Sequence, residues 1–145
     1  MSRRISILGL MLLVSIWIAG CSTTMGDVMK SKDQGTVTVY PVNADQAWEI
    51  AMTVFRWEGA DAIEQHRSEG YMLTSSGVGL WSAGTVMGAW IEPVDQGSTK
   101  VTVVTKRRVA TNIATTLTET TFHKRFAQAV DIIKAGKPLP PTPPE

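Results

Sequence analysis

Hydrophobic and polar residues alternate regularly along residues 36–136, and the period of the alternation changes between segments. Residues 36–42 alternate with period two, which is typical of a half-buried strand. Asn43 and Gln46 then have the spacing of a capping box, and Gly59 is placed to end the helix that follows. That helix has one apolar stripe, formed by Ala47, Ile50, Ala51, Val54 and Phe55. The pattern predicts a strand followed by an amphipathic helix.

Two β-hairpins are predicted next. Strand-like runs at 62–66 and 71–75 are joined by a short turn in which Gly70 can take a positive φ. Runs at 85–92 and 100–109 flank the turn sequence DQGS. In the last run Val101 and Val103 fall on one face and Val104 on the other, so this strand is expected to have apolar side chains on both faces.

A second amphipathic helix ends the pattern. Thr116 and Glu119 have capping-box spacing, Gly136 and Pro138 form a stop signal, and the apolar face consists of Phe122, Phe126, Ala129, Val130 and Ile133. Each helix has one apolar face to bury. The order strand, helix, four strands, helix therefore predicts a single α+β domain over residues 36–136. We expect an antiparallel sheet of about five strands, covered on one face by two helices.

The N-terminal segment has the pattern of an export signal. Arg3 and Arg4 precede a run from Ile5 to Ile18 that is apolar apart from Ser6, Gly9 and Ser15. Its fourteen residues would form a helix of about 21 Å, which is shorter than the roughly 30 Å hydrocarbon core of a bilayer. The segment is therefore predicted to be removed rather than to remain as a membrane-spanning helix.

The residues after this run carry a resemblance. Ile18, Ala19, Gly20 and Cys21 resemble the lipobox of bacterial lipoprotein precursors, in which an aliphatic and two small residues precede a cysteine. The resemblance implies cleavage between Gly20 and Cys21, a diacylglycerol on the Cys21 thiol and an acylated amino group, so residues 1–20 would be a signal peptide. Two or three acyl chains hold a protein on a bilayer almost permanently. Ser22 and Thr23 resemble outer-membrane sorting residues, which implies a periplasm-facing protein. The alternative is an uncleaved helix with an incidental cysteine.

The flanks of the predicted domain are polar or proline-rich. Residues 21–35 are interpreted as the lipidated cysteine and a flexible tether, and residues 137–145, with five prolines among the last eight residues, as a disordered tail. Removing Arg3 and Arg4 with the leader changes the net charge from +1 to −1. A near-neutral chain gives no argument for a nucleic-acid partner. Once Cys21 is acylated no thiol remains, which excludes a disulfide and a cysteine nucleophile.

The order of elements resembles that of small bacterial lipoproteins of unknown function with a compact α+β domain. It is also similar in outline to the helix-grip domains of an accessory lipoprotein of the outer-membrane β-barrel assembly machinery. The likeness covers residues 36–136 and is one of pattern, without a diagnostic motif. It implies a non-enzymatic envelope protein by analogy, since a fold does not fix a function.

Motifs with known chemistry are missing from the sequence. His66 and His123 are its two histidines, and the sequence predicts that each is solvated on its own element rather than paired. No HExxH, calcium loop, GxSxG or GxGxxG spacing occurs, so we predict no catalytic residues, no metal site and no cofactor. The acidic residues near the first hairpin, Glu58, Asp61, Glu64 and Glu69, are interpreted as a charged exposed edge.

Two features are candidates for a binding surface. The stretch from 75 to 90 contains four glycines together with Trp81 and Trp90, a composition found in binding loops; the alternative is that Trp90 packs in the core and Trp81 covers the end of the sheet. Lys106, Arg108 and Arg125 are candidates for a basic patch together with Arg107 and Lys124, with a scattered set of solvated cations as the alternative.

These observations predict a membrane-anchored, periplasm-facing lipoprotein that acts as a non-catalytic binding or scaffolding module of the cell envelope. Its expected partners are the bilayer, through the acyl chains on Cys21, and another envelope protein or peptidoglycan. Two alternatives remain open: a small envelope hydrolase that uses His66 or His123, and a domain that binds a small ligand or glycan between sheet and helices.

Overall fold

The computed structural model describes residues 25–76, 84–107 and 118–145. Cys21, Trp81 and Arg108 lie outside these ranges. The described residues form three α-helices, five strands and two short 3-10 turns, Lys32–Gln34 and Arg67–Glu69. In chain order the helices and strands are α1 Met25–Lys30, β1 Thr36–Tyr40, α2 Ala44–Trp57, β2 Ala60–His66, β3 Tyr71–Ser76, β4 Thr85–Pro93, β5 Thr99–Arg107 and α3 Glu119–Lys134.

The strands form one antiparallel sheet in the order β1-β5-β4-β3-β2. Helix α2 takes the chain from β1 at one edge to β2 at the other, and the next four strands return as a meander until β5 pairs with β1. The predicted α+β class and the five-stranded antiparallel sheet are confirmed. The turn between β2 and β3 ends at Gly70, whose φ of 75° is the positive value expected there.

One face of the sheet, called here the first face, is covered by α2 and α3. The core between them is filled by aromatic, methionine and branched side chains that are all fully buried, including Phe55, Met72, Met87, Phe122 and Phe126. The ring centroids of Phe55 and Phe122 lie 5.0 Å apart, and those of Phe122 and Phe126 lie 5.8 Å apart. These are ordinary separations for packed aromatic pairs.

The ends of the two long helices are set by local hydrogen bonds. Asn43 and Gln46 form the predicted capping box, with Gln46 N donating to Asn43 Oδ1 at 2.9 Å. At the end of α3, Lys137 N donates to Ile132 O and Gly136 N to Ile133 O, with Gly136 at φ 70°, a Schellman motif that confirms the predicted stop.

The start of α3 differs from the prediction. The capping residue is Thr118, whose side chain accepts from Thr121 N at 3.1 Å. The predicted partner Thr116 lies outside the described residues. Glu119 does not close a capping box: its carboxylate accepts from Thr36 N at 3.0 Å and from Thr105 N at 2.9 Å. These two hydrogen bonds join α3 to β1 and β5. A hydrogen bond from a backbone amide to a carboxylate is charge-assisted and therefore stronger than one to a neutral acceptor.

The opposite face of the sheet, the second face, carries α1. Val28 is fully buried there and packs with Leu73, Val86, Trp90 and Val104, while Met25 and Met29 pack at the border of this cluster. A Cβ at Gly88 would lie 2.8 Å from Val28 Cγ1, so glycine at this position makes room for the helix. Residues 25–34, which were expected to belong to a flexible tether, instead form α1 and a 3-10 turn, and α1 packs on the sheet through Val28, Met25 and Met29.

The C-terminal residues also differ from the prediction. They form no helix or strand, as the prolines require, but they are docked on the domain. Leu139 packs against the first-face core, Trp57 Nε1 donates to Pro140 O at 3.0 Å, and Arg125 donates to Pro144 O at 2.5 Å. Extended proline-rich backbone has unpaired carbonyls, which act here as acceptors for side chains of α2 and α3.

Candidate functional site

Trp90 is the member of the glycine- and tryptophan-rich stretch that the structure describes. It is 4% exposed and belongs to the second-face cluster, with the Lys32 Nζ atom 6.0 Å from its ring centroid. Trp90 therefore does not form an open binding surface, because α1 and Lys32 cover it. The stretch around Trp81 lies outside the described residues.

Lys106 and Arg125, two members of the predicted basic patch, have different partners on different elements. Lys106 is on β5, where its amine is 3.4 Å from Gln34 Oε1 in the segment that leads from α1 to β1. Arg125 is on α3, where its Nε atom is 3.5 Å from Glu58 Oε1. Burial raises the pKa of Glu58, and the Arg125 charge opposes that rise. Arg125 thus joins α2, α3 and the C-terminal residues, and it does not share a surface with Lys106.

The two histidines lie at opposite edges of the sheet. His66 is on β2, where its Nε2 atom is 2.6 Å from Glu64 Oε1 and its ring stacks on Tyr71 at a centroid distance of 4.5 Å. His123 is on α3 beside β1: its Nδ1 atom is 2.8 Å from the Tyr40 hydroxyl oxygen. Three strands separate β1 from β2, so the sheet keeps the two imidazoles from acting together.

His123 is half-buried and bridges α3 to the edge strand. Its Nε2 atom lies 3.1 Å from Thr36 O. Burial lowers the pKa of His123, and the hydrogen bond to Thr36 and the Glu119 charge oppose that shift. Burial also raises the pKa of Tyr40 to about 12, so its hydroxyl stays protonated at neutral pH. These groups form a neutral hydrogen-bonded link between elements, which is a structural role.

An open cleft of about 540 Å³ lies where the N-terminus of α2, the β2–β3 turn and the end of β4 meet. Its walls combine apolar groups with charged ones of both signs and include Asp45, Trp48, Arg67, Glu69 and Glu92. The topology explains this convergence, because α2 begins at the end of the sheet where β2 turns into β3. Sequence reasoning did not find this site, since its residues come from three distant segments and match no motif.

Arg67 is held in position at the mouth of this cleft. One guanidinium nitrogen is 2.5 Å from Asp45 Oδ1, and the guanidinium carbon lies 5.4 Å from the centroid of a Trp48 ring. The Trp48 Nε1 atom donates to Gln65 Oε1 at 3.1 Å, which fixes the indole. An aromatic face and a carboxylate together orient the planar guanidinium, which reduces the entropy lost when it binds a second anion.

Glu92 provides negative charge at the opposite wall. Its carboxylate oxygens lie 3.3 Å from the Lys32 amine and 3.2 Å from the Lys100 amine. Burial by itself would raise the pKa of Glu92, but the hydrogen bonds and charges of the two lysines outweigh it and lower that pKa. Glu92 is therefore ionised at neutral pH, but its charge is balanced by the two lysines, so Arg67 and Glu69 are the charges that the cleft presents to a ligand.

Among residues 25–76, 84–107 and 118–145, no group of three or more His, Cys, Asp or Glu side chains is arranged to hold a metal ion. Within the same ranges no helix is both long and apolar enough to cross a membrane. The chemistry available in the described cleft is recognition by charge pairing and by contact with Trp48, Ile91 and Pro93.

The geometry defines an α+β domain with a five-stranded antiparallel sheet and a charged cleft at one end. No family model matches the chain, and no curated protein matches it. Among solved structures, the di-domain ARO/CYC StfQ from the steffimycin biosynthetic pathway is similar at 8% identity and a TM-score of 0.35. The alignment covers 66% of this chain and 41% of that protein. A likeness at that level carries no argument about function.

Proposed function

We propose that this protein is a lipid-anchored, periplasm-facing lipoprotein that acts as a non-catalytic binding module of the cell envelope. The anchor rests on the lipobox at Cys21 and on the export signal before it. The binding role rests on one observation, the open cleft in which Arg67 is oriented by Asp45 and Trp48. A preoriented cation beside carboxylates suits a partner that carries both charges.

The partner proposed for the cleft is a peptide segment with both an ammonium and a carboxylate group. Arg67 would pair with the carboxylate, and Glu69 would attract the ammonium. Two sources in the envelope supply this chemistry: the stem peptides of peptidoglycan and charged segments of another envelope protein. The cleft is open, so a chain can enter it without a change of fold.

The anchor is tested by mass spectrometry of the mature N-terminus. The expected product begins at Cys21 and carries a diacylglycerol and an N-acyl chain, and it partitions into the detergent phase. Cys21→Ala is the matched control and should retain the leader. A native product that begins at Met1 or remains in the aqueous phase would contradict the proposal.

The cleft is tested with a photo-crosslinking residue at Ser68, on its rim, and a matched one at Asp131, on the exposed side of α3. Purified peptidoglycan fragments and intact cells serve as the two arms. We expect a product from position 68 that is absent from position 131 and at least tenfold weaker in Arg67→Ala. Equal products from both positions, or full retention in Arg67→Ala, would contradict a role for the cleft.

The alternatives have less support. A hydrolase using His66 or His123 would need a catalytic partner beside one imidazole; His66 has Glu64 at 2.6 Å, whereas His123 is bound to Tyr40 and Thr36 in a link between elements. A ligand between sheet and helices would need space that Phe55, Phe122 and Phe126 fill in the described core. If a His66→Ala, His123→Gln double variant failed to complement a deletion strain while remaining folded, the hydrolase alternative would gain support.

A further inference from the structure

The segment between the lipobox cysteine and the folded domain is short. Cys21 precedes Met25 by four residues. Four extended residues span about 14 Å at most. Helix α1 does not swing freely after that point, because Val28 is fully buried against the sheet. An anchor at Cys21 is therefore joined to the second face of the domain, where α1 packs, by a segment of only four residues.

The same side of the sheet carries two exposed valines. Val37 is 54% exposed and Val39 is 55% exposed, on the edge strand β1. Tyr40 points into the first-face core, so alternation places Val39 and Val37 on the second face. They pair with Lys100 and Thr102 of β5, the strand beside them, at a spacing of about 4.8 Å. The valines thus flank the area that α1 covers.

Charge neither repels nor strongly attracts a bilayer at this surface. The lysines of the second face and of the α1 segment are Lys30, Lys32, Lys100 and Lys106, and the acidic residues are Asp27, Asp33, Glu64 and Glu92. Glu92 is shared by Lys32 and Lys100. Attraction to anionic lipid is worth about 1 kcal/mol for each uncompensated basic residue, so a near balance adds little.

We infer that the second face is the side of the domain that rests on the bilayer, which deepens the proposed function and depends on the acylation of Cys21. The outer side of α1 and the β1 rim formed by Val37 and Val39 contact the headgroup region. Helices α2 and α3 face the aqueous side. The length of the segment after Cys21 decides this orientation, and the valines supply the apolar contact at the rim.

The test uses the acylated full-length protein in phosphatidylethanolamine and phosphatidylglycerol vesicles that contain spin-labelled lipid. Val39→Cys, with Val37→Cys as a second variant, is labelled with a fluorophore; the acylated Cys21 cannot react, so the new thiol is the single target. Asp131→Cys on α3 is the matched control. We expect at least threefold stronger quenching at positions 39 and 37 than at 131, changing less than twofold between 50 and 500 mM salt.

A second arm lengthens the segment. Twenty Gly and Ser residues inserted between Thr24 and Met25 have a root-mean-square span of about 25 Å. We expect quenching at position 39 to fall at least twofold, because the anchor then no longer restricts the face. Unchanged quenching would overturn the claim that the short segment sets the orientation.

The remaining outcomes separate the two proposals. A protein without acyl mass that fails to float with vesicles overturns the anchor and the orientation together. An acylated, vesicle-bound protein with equal quenching at 39 and 131 overturns the orientation alone. Dimers crosslinked through position 39 without quenching also overturn it, and they indicate that β1 pairs with a second copy of this chain.

Discussion

Gly88 is the position where α1 comes closest to the sheet, and replacing it tests whether the helix is seated there. A Cβ at Gly88 would lie 2.8 Å from Val28 Cγ1 and 2.8 Å from Trp90 Cη2. Both distances are shorter than a carbon–carbon contact allows. Val28 and Trp90 are buried, so Gly88→Ala requires α1 to move or the indole to rotate.

The expected loss of stability follows from two opposing effects. Overpacking a tight site costs about 1–3 kcal/mol. Replacing glycine with alanine also restricts the unfolded chain, which stabilises the protein by about 0.4–1 kcal/mol. The difference is a net loss of about 0–2.6 kcal/mol in the free energy of unfolding, with a midpoint of about 1.3 kcal/mol. Val28→Ala removes two buried methyl groups and should cost about 2 kcal/mol.

The two substitutions should not add. Val28→Ala removes one of the three atoms that a Cβ at Gly88 would meet, the other two being ring carbons of Trp90. The double variant is therefore expected to be more stable than the sum of the single losses by about 0.5–1.5 kcal/mol. This coupling is the specific signature of contact between α1 and β4, since two independent sites would not show it.

Urea unfolding of a chain beginning at residue 22, followed by tryptophan fluorescence and circular dichroism, measures these values. Gly97→Ala is the matched control, because its Cβ would meet only Asp95 Oδ1 at 3.8 Å. Trypsin cleavage after Lys30 should accelerate in Gly88→Ala and not in Gly97→Ala. Additive losses in the double variant would refute the seating of α1.

Three further predictions concern groups that link elements. The pKa of His123 is lowered in the folded protein, so between that value and the unfolded value of about 6.5 the unfolded chain binds more protons. The free energy of unfolding should therefore fall as the pH drops below about 6.5. Urea titrations at several pH values should show a smaller fall in His123→Gln. Glu119→Gln weakens the acceptor for Thr36 N and Thr105 N and should lower the free energy of unfolding by about 1–2 kcal/mol. Asp131→Asn, on the exposed side of the same helix, should lower it by less than about 0.5 kcal/mol. Equal losses in the two variants would contradict the role of Glu119. Deleting residues 138–145 removes Leu139 and the acceptors for Trp57 and Arg125, and calorimetry should show a loss of about 1–2 kcal/mol; an unchanged melting temperature would mean that these residues are not docked in solution.

Several elements could be predicted because their signals are local. The capping box of Asn43 and Gln46 and the positive φ at Gly70 involve residues a few positions apart, and both are present. The apolar stripes of α2 and α3 repeat over several turns, long enough to define one buried face each. The opposite faces predicted for Val103 and Val104 also follow from alternation, and the two side chains lie in different clusters.

The cleft and the links between elements could not be predicted. Arg67 meets Asp45 across 22 positions of sequence, and Glu119 meets Thr36 across 83. A single sequence contains no signal for contacts between residues so far apart in the chain. The partner of a charged side chain depends on which strand edge or helix end the fold places beside it. Lys106 and Arg125, which looked like members of one patch, have separate partners for the same reason.

The sequence by itself predicted an export signal and a lipobox resemblance, and it determined the α+β class and the identity of the long elements, since periodicity and caps act between neighbours in the chain. Only the tertiary structure decided where short or irregular segments lie. A six-residue helix such as α1 is not stable alone, and it exists because Val28 fills a space that Gly88 leaves on the sheet. The proline-rich end, too, is ordered by contacts with Trp57 and Arg125 rather than by its own pattern. Such segments are stabilised by contacts with other elements of the fold, so their conformation cannot be predicted from their own residues alone.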